Sequence, residues 1–368
     1  MTFSLAPRSL AAGRAGSPCV HPAFRIGAFL CTLTACAPDF DALSKGITAG
    51  ASGAGACASG VCDAGTNGGG SGGRDDSGGN GGTEALAGSG GSGGTGPESF
   101  RYVFTTFNGD GGQRLSVYTS SDGLNFTLLT APGYSGPTGV LRDPSLMKHR
   151  DGKYYIAYTL QSWMNRSASF AIASSTNLTD WTFFAEVPAA VTGASYTWAP
   201  EWFVDTDGSV NIIVSIDNLG SASNFRAYKF TALDDSLTAW SEPTPVGIGP
   251  NYIDTFIVSS GGTYHAFVKN DTNKLIEHAT APSVTGPWTW VGTGDWAGFG
   301  TGKEGPALFQ LDDGRWRMFL DCYIGCGYLS TTSSDLNTWS TPITVPGGLS
   351  SSVRHGTVLR QDVEGDEP

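Results

Sequence analysis

The chain has 368 residues, with 21 Lys and Arg against 33 Asp and Glu, and a net charge of −12. An acidic surface repels phosphate backbones and anionic lipid headgroups, which argues against nucleic acid or a membrane surface as a partner. Aromatic residues make up 11% of the chain, beside 53 glycines and 19 prolines. This composition favours an all-β protein rich in turns.

The N-terminal segment has the features of an export signal. Several arginines precede an apolar stretch, 26–35, that is too short to span a bilayer. The sequence Leu33-Thr34-Ala35-Cys36 then resembles a bacterial lipobox. We expect 1–35 to be a lipoprotein-type signal peptide, Cys36 to carry the lipid, and the exported protein to contact a membrane only through this anchor. An ordinary secretion signal or a mistaken start site is the alternative.

Residues 36–98 read as a flexible linker, because a Gly- and Ser-rich segment cannot bury enough apolar surface to offset its ordering entropy. Residues 363–368 form a short acidic tail. Two close pairs of cysteines, Cys57 with Cys62 and Cys322 with Cys326, are each compatible with a disulfide in an exporting compartment or with free thiols.

From residue 100 onward the sequence repeats at intervals of roughly 50 residues, which indicates stacked or radial units. A polar phrase that ends in an aromatic residue occurs five times and suits a turn entering an outer strand. The five phrases are SSDGLNFT (120–127), STNLTDWT (175–182), DDSLTAWS (234–241), SVTGPWTW (283–290) and SSDLNTWS (333–340).

A second set of five segments begins the predicted inner strands. Four of them lead to a dipeptide that supplies the positive φ of a tight hairpin, such as Asp151-Gly152 or Asp313-Gly314. The five segments are RDPSLMKH (142–149), APEWFVD (199–205), IDTFIVSS (253–260), EGPALFQL (304–311) and RHGTVLRQ (354–361).

The fifth inner strand has no hairpin after it, whereas three unmatched strands stand at 101–107, 115–121 and 126–130. We therefore predict an all-β, five-bladed β-propeller over 99–362, in which the C-terminal strand joins the N-terminal blade and closes the ring. A six-bladed ring or a β-sandwich would not explain five matched pairs of signals.

The starts of the inner strands of a propeller converge on one face. In this chain we assign Asp143, Ala199 with Glu201 nearby, Asp254, Glu304 and His355 to those positions. Each polar residue taken alone has a structural explanation: a turn for either aspartate, pairing with Lys303 for Glu304, or a core position for His355. Their shared place in the repeat predicts a concave site with three carboxylates and a histidine.

These segments resemble glycoside hydrolase family 43, whose catalytic domain is a five-bladed propeller. The resemblance covers about 100–362 and is carried by RDPSLMKHRDGKYYIAYT, TWAPEW, YIDTFIV, KEGPALFQLDDGRW and RHGTVL. A single motif such as EGPA is weak, but the ordered set, one per blade, is specific.

The resemblance implies that Asp143 is the general base, that Glu304 is the general acid, and that Asp254 modulates the pKa and orientation of the acid. His355 matches a position that contacts a bound metal or its water in some members. The chemistry then requires no cofactor, while a structural metal ion such as calcium at the axis, near His355, is an expectation. The implied activity is inverting hydrolysis of plant-type glycans, foremost by an α-L-arabinofuranosidase, with β-xylosidase and arabinanase as close variants.

Inverting hydrolysis needs one carboxylic acid and one carboxylate, and a third acid helps two groups of one type to differ in protonation. We expect the negative charge of Asp254 to raise the pKa of Glu304 and to keep it a usable acid. Aromatic rings at the mouth would stack on sugars, as parts of a site for a carbohydrate substrate in a monomeric protein. The candidates are Trp163, Trp198 and Tyr252, together with Trp202 and Trp296.

Two other functions stay open at this point. A non-catalytic carbohydrate-binding propeller would keep the aromatic residues but lose at least one of the three acids. A sialidase-like enzyme would need an arginine cluster, for which Arg142 and Arg354 are the candidates.

Overall fold

The computed structural model describes residues 101–109, 113–130, 133–347, 349 and 353–361. These residues all belong to one compact unit, Ser89–Pro368. The predicted signal peptide, Cys36, the linker with Cys57 and Cys62, and the acidic tail lie outside the described residues. No helix within the described part of the chain is long and apolar enough to cross a membrane.

Five antiparallel sheets of four strands make up the described residues, and we number them as blades. Blade 1 holds β1 (Tyr102–Asn108), β2 (Leu115–Ser120), β3 (Thr127–Thr130) and the C-terminal strand β20 (Val353–Arg360). Blade 2 holds β4 (Arg142–Lys148), β5 (Tyr154–Thr159), β6 (Ser169–Ser175) and β7 (Thr182–Pro188). Blade 3 holds β8 (Tyr196–Val204), β9 (Val210–Asp217), β10 (Arg226–Thr231) and β11 (Thr244–Pro245).

Blade 4 holds β12 (Tyr252–Ser260), β13 (Thr263–Asn270), β14 (Leu275–Ala281) and β15 (Thr289–Gly292). Blade 5 holds β16 (Glu304–Gln310), β17 (Trp316–Cys322), β18 (Gly327–Ser333) and β19 (Ile343–Thr344). The predicted five-bladed propeller is confirmed. The predicted closure is confirmed as well, because β20 pairs with β1 from Tyr102 opposite Arg360 to Asn108 opposite Val353.

Apolar side chains fill the spaces between the blades. Five hydrophobic clusters are present, and each joins residues of two neighbouring blades. Between blades 2 and 3, for example, the rings of Phe170 and Phe230 meet edge to face with centroids 5.5 Å apart. Blades 1 and 5 share a cluster in the same way, so that burial of apolar surface continues around the ring.

The two kinds of predicted turn both form. In the tight hairpins, Gly152 and Gly314 have φ of 83° and 82°, a region that glycine enters without steric cost. In the phrase STNLTDWT, Ser175 Oγ accepts the N–H of Leu178, and Asn177 Oδ1 accepts the N–H of Asp180. The Trp181 indole then donates to the carbonyl of Leu178 and closes the turn.

A β-bulge lies near the start of every inner strand. In each blade two inner-strand residues oppose one residue of the second strand, as where Asp143 and Pro144 lie between the pairs Arg142–Thr159 and Ser145–Ala157. The same shift recurs in the other four blades. The first bulge residue has a left-handed backbone in four blades, with φ of 51° at Asp143, 48° at Ala199, 56° at Asp254 and 55° at Gly305.

The bulge of blade 5 allows a test of how tightly this region is packed. A Cβ atom on Gly305 would lie 2.4 Å from Cδ2 of His355, whereas a Cβ on Gly152 would meet no atom within 4 Å. We expect Gly305→Ala to lower the free energy of unfolding by about 3 kcal/mol, from overpacking plus backbone strain. Gly152→Ala has only the backbone strain and should lower it by about 1 kcal/mol. Urea denaturation measures both, and equal losses would contradict the proposed clash.

A buried histidine pair in blade 4 predicts a specific acid sensitivity. His278 is fully buried, stacks on Phe267 with ring centroids 4.4 Å apart, and its Nε2 lies 3.0 Å from Nδ1 of His265. Burial, and then the charge of His265, lower the pKa of His278 from 6.5 to about 3. Between pH 6.5 and pH 3 His278 is therefore protonated in the unfolded chain but neutral in the folded protein. The folded state loses stability as pH falls from about 6.5 toward 3.

We expect His278→Leu to reduce the loss of stability between pH 6.5 and pH 4, by up to about 1.4 kcal/mol of unfolding free energy per pH unit. In thermal denaturation, the Tm of this variant should therefore fall less steeply with decreasing pH than that of the wild type. Phe267→Leu alters the same stack without removing a titrating group and should lower Tm equally at all pH values. Parallel curves for His278→Leu and the wild type would show that His278 does not contribute to acid sensitivity.

Candidate active site

The bulges bring three of the predicted residues together at one end of the propeller axis. Nδ1 of His355 lies 3.6 Å from Oδ1 of Asp143 and 3.8 Å from Oδ2 of Asp254. All three side chains are at most 12% exposed. The imidazole of blade 1 therefore stands between carboxylates of blades 2 and 4.

Asp143 is held from a neighbouring strand. Its Oδ2 accepts a hydrogen bond of 2.8 Å from Oγ1 of Thr159, at the end of β5. Oγ1 of Thr159 in turn accepts the N–H of Ala199 at 2.8 Å, which ties blade 2 to blade 3. The carboxylate is thus oriented by a hydroxyl on one oxygen and faces His355 with the other.

Glu304 is held between two cations. Nζ of Lys269 lies 2.8 Å from Oε2, and Nη2 of Arg354 lies 2.6 Å from Oε1. Nε of Arg354 also donates to Oδ2 of Asp321 at 2.9 Å, and the same oxygen accepts the N–H of His355. Each oxygen of Glu304 therefore has its own positively charged partner.

The register corrects one detail of the sequence analysis. Glu304 pairs with Asp321 immediately before the bulge of blade 5, which is the position of Arg142 in blade 2. The residue that corresponds to Asp143 and Asp254 is Gly305. The segments RDPSLMKH (142–149), IDTFIVSS (253–260) and EGPALFQL (304–311) contain this offset, because Glu304 is the first residue of its segment whereas Asp143 and Asp254 are the second residues of theirs. Glu304 still belongs to the cluster, since its charge raises the pKa values of Asp254 and His355. The N–H of the next residue, Gly305, donates to Oδ2 of Asp254 at 3.2 Å.

The electrostatics of the carboxylates also differ from expectation. Burial by itself raises the pKa of Glu304, but the charges of Lys269 and Arg354 outweigh it, and the pKa lies well below its usual range. Burial, opposed by His355 and Lys269, raises the pKa of Asp254 to about 6. The two cations therefore outweigh the expected effect of Asp254 on Glu304, and Asp254 keeps a proton to higher pH than Glu304 does.

The pKa values of the groups around Asp254 and Glu304 also depend on burial and on neighbouring charges. Burial lowers the pKa of His355, but the charges of Asp254 and Asp143 outweigh it, and the pKa is raised above 6.5. Burial and the negative charge of Glu304 raise the pKa of Asp321 to about 6. An imidazolium at His355 matches the carboxylates that face it.

Glu201 occupies the next layer along the axis. Its side chain accepts hydrogen bonds from Oγ of Ser145 at 2.8 Å and from Oγ1 of Thr357 at 3.2 Å, and so joins three blades. Burial raises the pKa of Glu201 to about 7. Cavities of about 220 Å³ and 590 Å³ lie farther along the inner strands, toward the other end of the axis. The converging ionisable groups, rather than these cavities, mark the candidate site.

The predicted aromatic residues have different surroundings. Trp198, directly before the bulge of blade 3, is partly buried and packs on Phe225 with ring centroids 4.5 Å apart. Trp163 is 44% exposed on the loop between β5 and β6. The ring of Tyr252 stacks on Trp290, and its hydroxyl donates to Glu277, so the contacts of Tyr252 are within its own blade. Trp202 and Trp296 take part in the hydrophobic clusters between blades.

Three residues of the candidate site, Lys269, Asp321 and Tyr323, were not predicted from the sequence. In blade 4 Lys269 pairs with Ile253, and in blade 5 Asp321 pairs with Glu304; Ile253 and Glu304 each stand directly before a bulge. Thr159 has the same position in blade 2, where it pairs with Arg142. A polar residue ends each alternating run, as in KYYIAYT and TYHAFVK, and this feature of the sequence could have indicated these site residues.

Tyr323 stands in a loop closed by a disulfide. Cys322 and Cys326 are bonded, with Cα atoms 5.2 Å apart, which resolves the alternative that the sequence left open. The partly buried ring of Tyr323 lies 4.7 Å from Nζ of Lys269 and 5.8 Å from Cζ of Arg354. The tyrosine therefore covers both cations that hold Glu304.

Among the described residues, no group of three or more His, Cys, Asp or Glu side chains is arranged to hold a metal ion. His355 presents Nδ1 to two carboxylates at distances typical of an ion pair. A metal ion near His355 thus stays a prediction, and no step below depends on one.

Comparison with known proteins agrees with this fold. An exo-β-1,3-galactanase from Clostridium thermocellum has a TM-score of 0.53 at 14% identity, covering 70% of this chain and 63% of that one. An exo-β-1,3-galactanase from Phanerochaete chrysosporium, solved with galactose, has a TM-score of 0.52 at 14% identity, covering 67% and 62%. The chain thus spans a little over three fifths of each galactanase.

An endo-1,4-β-xylanase from Bacteroides thetaiotaomicron has a TM-score of 0.49 at 14% identity, covering 67% of this chain and 93% of that one. No curated protein sequence matches the chain. A family model related to glycoside hydrolase family 43 and described as a probable glycosyl hydrolase domain matches residues 98–364, which is most of the chain. The chain therefore belongs to glycoside hydrolase family 43 and is a glycosidase.

Proposed function

We propose that the protein is an inverting glycosidase that removes neutral sugars from plant-type glycans, with α-L-arabinofuranosides and β-xylosides as its main substrates. The observation that carries this proposal is that Asp143 and Asp254, from two blades, contact His355, and that Glu304, from a third blade, acts electrostatically on the same histidine. Two acidic groups on opposite sides of a glycosidic bond are what inversion requires. The surrounding carboxylates disfavour an anionic substrate.

Asp143 is the proposed general base. Its oxygens are oriented by Thr159 and His355, so that one carboxylate oxygen can take a proton from a water that attacks the anomeric carbon. Glu304 is the proposed general acid that protonates the leaving oxygen. A water has to fit between base and sugar, and this requires carboxyl groups roughly 6.5–9.5 Å apart.

For Glu304 to act as an acid, a proton must move to it from Asp254 or from solvent. Both oxygens of Glu304 are occupied by cations, so at least one of Lys269 and Arg354 has to give way when substrate binds. Arg354 has a second acceptor in Asp321 and can turn from Glu304 while it stays paired. A hydroxyl of the sugar is a suitable replacement partner for the N–H group that turns away from Glu304.

Trp198 and Trp163 are the proposed sugar-stacking rings, with Tyr323 as a third. Tyr252, the remaining aromatic candidate, stays in the proposal with less support, because its ring and hydroxyl already have partners. We also propose a monomer whose only membrane contact is a lipid on Cys36.

The substrate proposal is tested with aryl α-L-arabinofuranoside, β-D-xyloside and β-D-galactoside, beside arabinan and β-1,3-galactan. The galactosides belong in the panel because two proteins with the same fold are galactanases. We expect kcat/KM to be highest on the arabinofuranoside or the xyloside. NMR of the first-formed sugar should show inverted anomeric configuration. Retention, or the highest kcat/KM on the galactoside, would contradict the proposal.

The roles of the two carboxylates predict different responses to the leaving group. Glu304→Ala should lower kcat/KM on natural glycosides by about 10²–10⁴-fold, and much less on a nitrophenyl glycoside, whose leaving group needs little protonation. Asp143→Ala should lose activity on both, and azide should restore part of it with an inverted glycosyl azide as product. Glu186→Ala, on the outer strand β7, is the control and should keep wild-type kinetics. Full activity of Asp143→Ala would exclude Asp143 as the base.

The anchor is tested separately by growth with a fatty-acid probe. We expect the probe to label the wild-type protein and Cys31→Ala but not Cys36→Ala, because the lipid is attached to the cysteine that follows Leu33-Thr34-Ala35. Equal labelling of Cys36→Ala and wild type would rule out Cys36 as the lipidated residue.

A further inference from the structure

Lys269 is a buried lysine that none of the roles above uses as a catalytic group. It is the penultimate residue of β13 in blade 4, and it contacts the carboxylate at the start of β16 in blade 5. Its side chain is only 6% exposed. A buried ammonium group is costly unless it is paired, so its position indicates a specific partner.

That partner is Glu304. Nζ of Lys269 lies 2.8 Å from Oε2 of Glu304, whereas its other acidic neighbour, Asp271, is 3.8 Å away. Asp271 has a closer cation of its own, Lys274, with Nζ at 2.6 Å. The ring of Tyr323 lies over Nζ of Lys269 and limits its access to water. Among the carboxylates, Glu304 therefore has the largest effect on Lys269, followed by Asp254 and Asp271.

We infer that Lys269 is a positioning residue that holds Glu304 in its ionised form and thereby sets the pH range in which the enzyme works. This inference rests on the proposed function, in which Glu304 is the acid. Arg354 binds the other oxygen of Glu304, but it also forms an ion pair with Asp321. Lys269 has no comparably close second acceptor, so it is the stronger fixed restraint on Glu304.

The remaining groups around Glu304 do not cancel the effect of Lys269. The positive groups Arg354 and His355 of β20 add to it, while the carboxylates of Asp254 and Asp321, whose pKa values are raised to about 6, oppose it. The groups that act electrostatically with Glu304 are Asp254 of β12, Lys269 of β13, Asp321 of β17, Tyr323 after β17, Tyr328 of β18, and Arg354 and His355 of β20.

The sign of the pH effect follows from this arrangement. A general acid works only while it is protonated, so kcat/KM falls as pH rises through the pKa of the acid. Lys269 favours the ionised form and moves this fall to lower pH. Removal of the cation should let Glu304 keep its proton to higher pH, by about one pH unit or more for an opposite charge at this distance.

The main experiment compares pH profiles of kcat/KM on a natural glycoside for four variants. In Lys269→Met the alkaline limb should shift up by about one pH unit or more, whereas Lys269→Arg keeps the charge and should follow the wild type. Asp271→Asn removes an anion that competes for Lys269, so its limb should shift slightly to lower pH. Lys229→Met is the matched control: this half-buried lysine of β10 bonds to Asn211 and Thr231, away from the site, and its profile should not move.

A merely structural role of Lys269 would lower kcat/KM at all pH values and leave the limb in place, and this result would overturn the inference. A second measurement does not depend on activity. Infrared titration of the carboxyl band, with Glu304→Gln to assign it, should show Glu304 protonating at higher pH in Lys269→Met than in wild type.

The two measurements separate this inference from the proposed function. A wild-type protein inactive on every glycoside in the panel would overturn the proposed function, while a shifted infrared titration would still support the hold of Lys269 on Glu304. An active wild type with unshifted titration and unshifted profile in Lys269→Met would overturn the inference alone. If Lys269→Met fails to fold, Lys269→Gln, which also removes the charge, gives the deciding comparison, and an unmoved limb and an unmoved Glu304 band in that variant then reject the inference.

Discussion

The β-bulge at the start of each inner strand is the constraint on which the site depends. A regular strand alternates its side chains between the two faces of its sheet, and in this propeller both faces pack against neighbouring blades. The left-handed residue of the bulge breaks this alternation and turns side chains toward the axis. In blades 2 and 4 that residue is an aspartate, which tolerates positive φ better than most side chains, and in blade 5 it is Gly305, where His355 leaves no room for a Cβ atom.

The same geometry makes the interface between blades part of the site. The residue that pairs with the start of one inner strand contacts the start of the next one, as Lys269 of blade 4 holds Glu304 of blade 5. The same relation is repeated at three other interfaces around the ring. The contacts there are Phe107 with the guanidinium of Arg142, Thr159 with the N–H of Ala199, and Asp321 with Arg354. The hydrophobic clusters that fix the angle between blades therefore also fix the distances between the ionisable groups.

The charge distribution at the axis is balanced rather than simply acidic. Glu304 is ionised between Lys269 and Arg354, Asp254 titrates near pH 6, and Glu201 titrates near pH 7 in the layer beneath. Groups of one chemical type thus have different protonation states because their burial and cationic neighbours differ. In the proposed mechanism, Glu304 can therefore take up the proton for the leaving group only when its contacts with Lys269 and Arg354 change.

The repeated turn phrases, the hairpin dipeptides and the missing hairpin after 354–361 were enough to predict five blades and the closure by β20, because these features depend on local backbone chemistry and on strand count. Asp143, Asp254 and His355 could be placed at the axis for the same reason, since they share one position in the repeat. The contacts of Glu304 with Lys269 and Arg354, and the low pKa that follows, were decided only by the tertiary structure. Those contacts join strands of neighbouring blades, and the sequence pattern does not show which side chains meet across the interface between two blades.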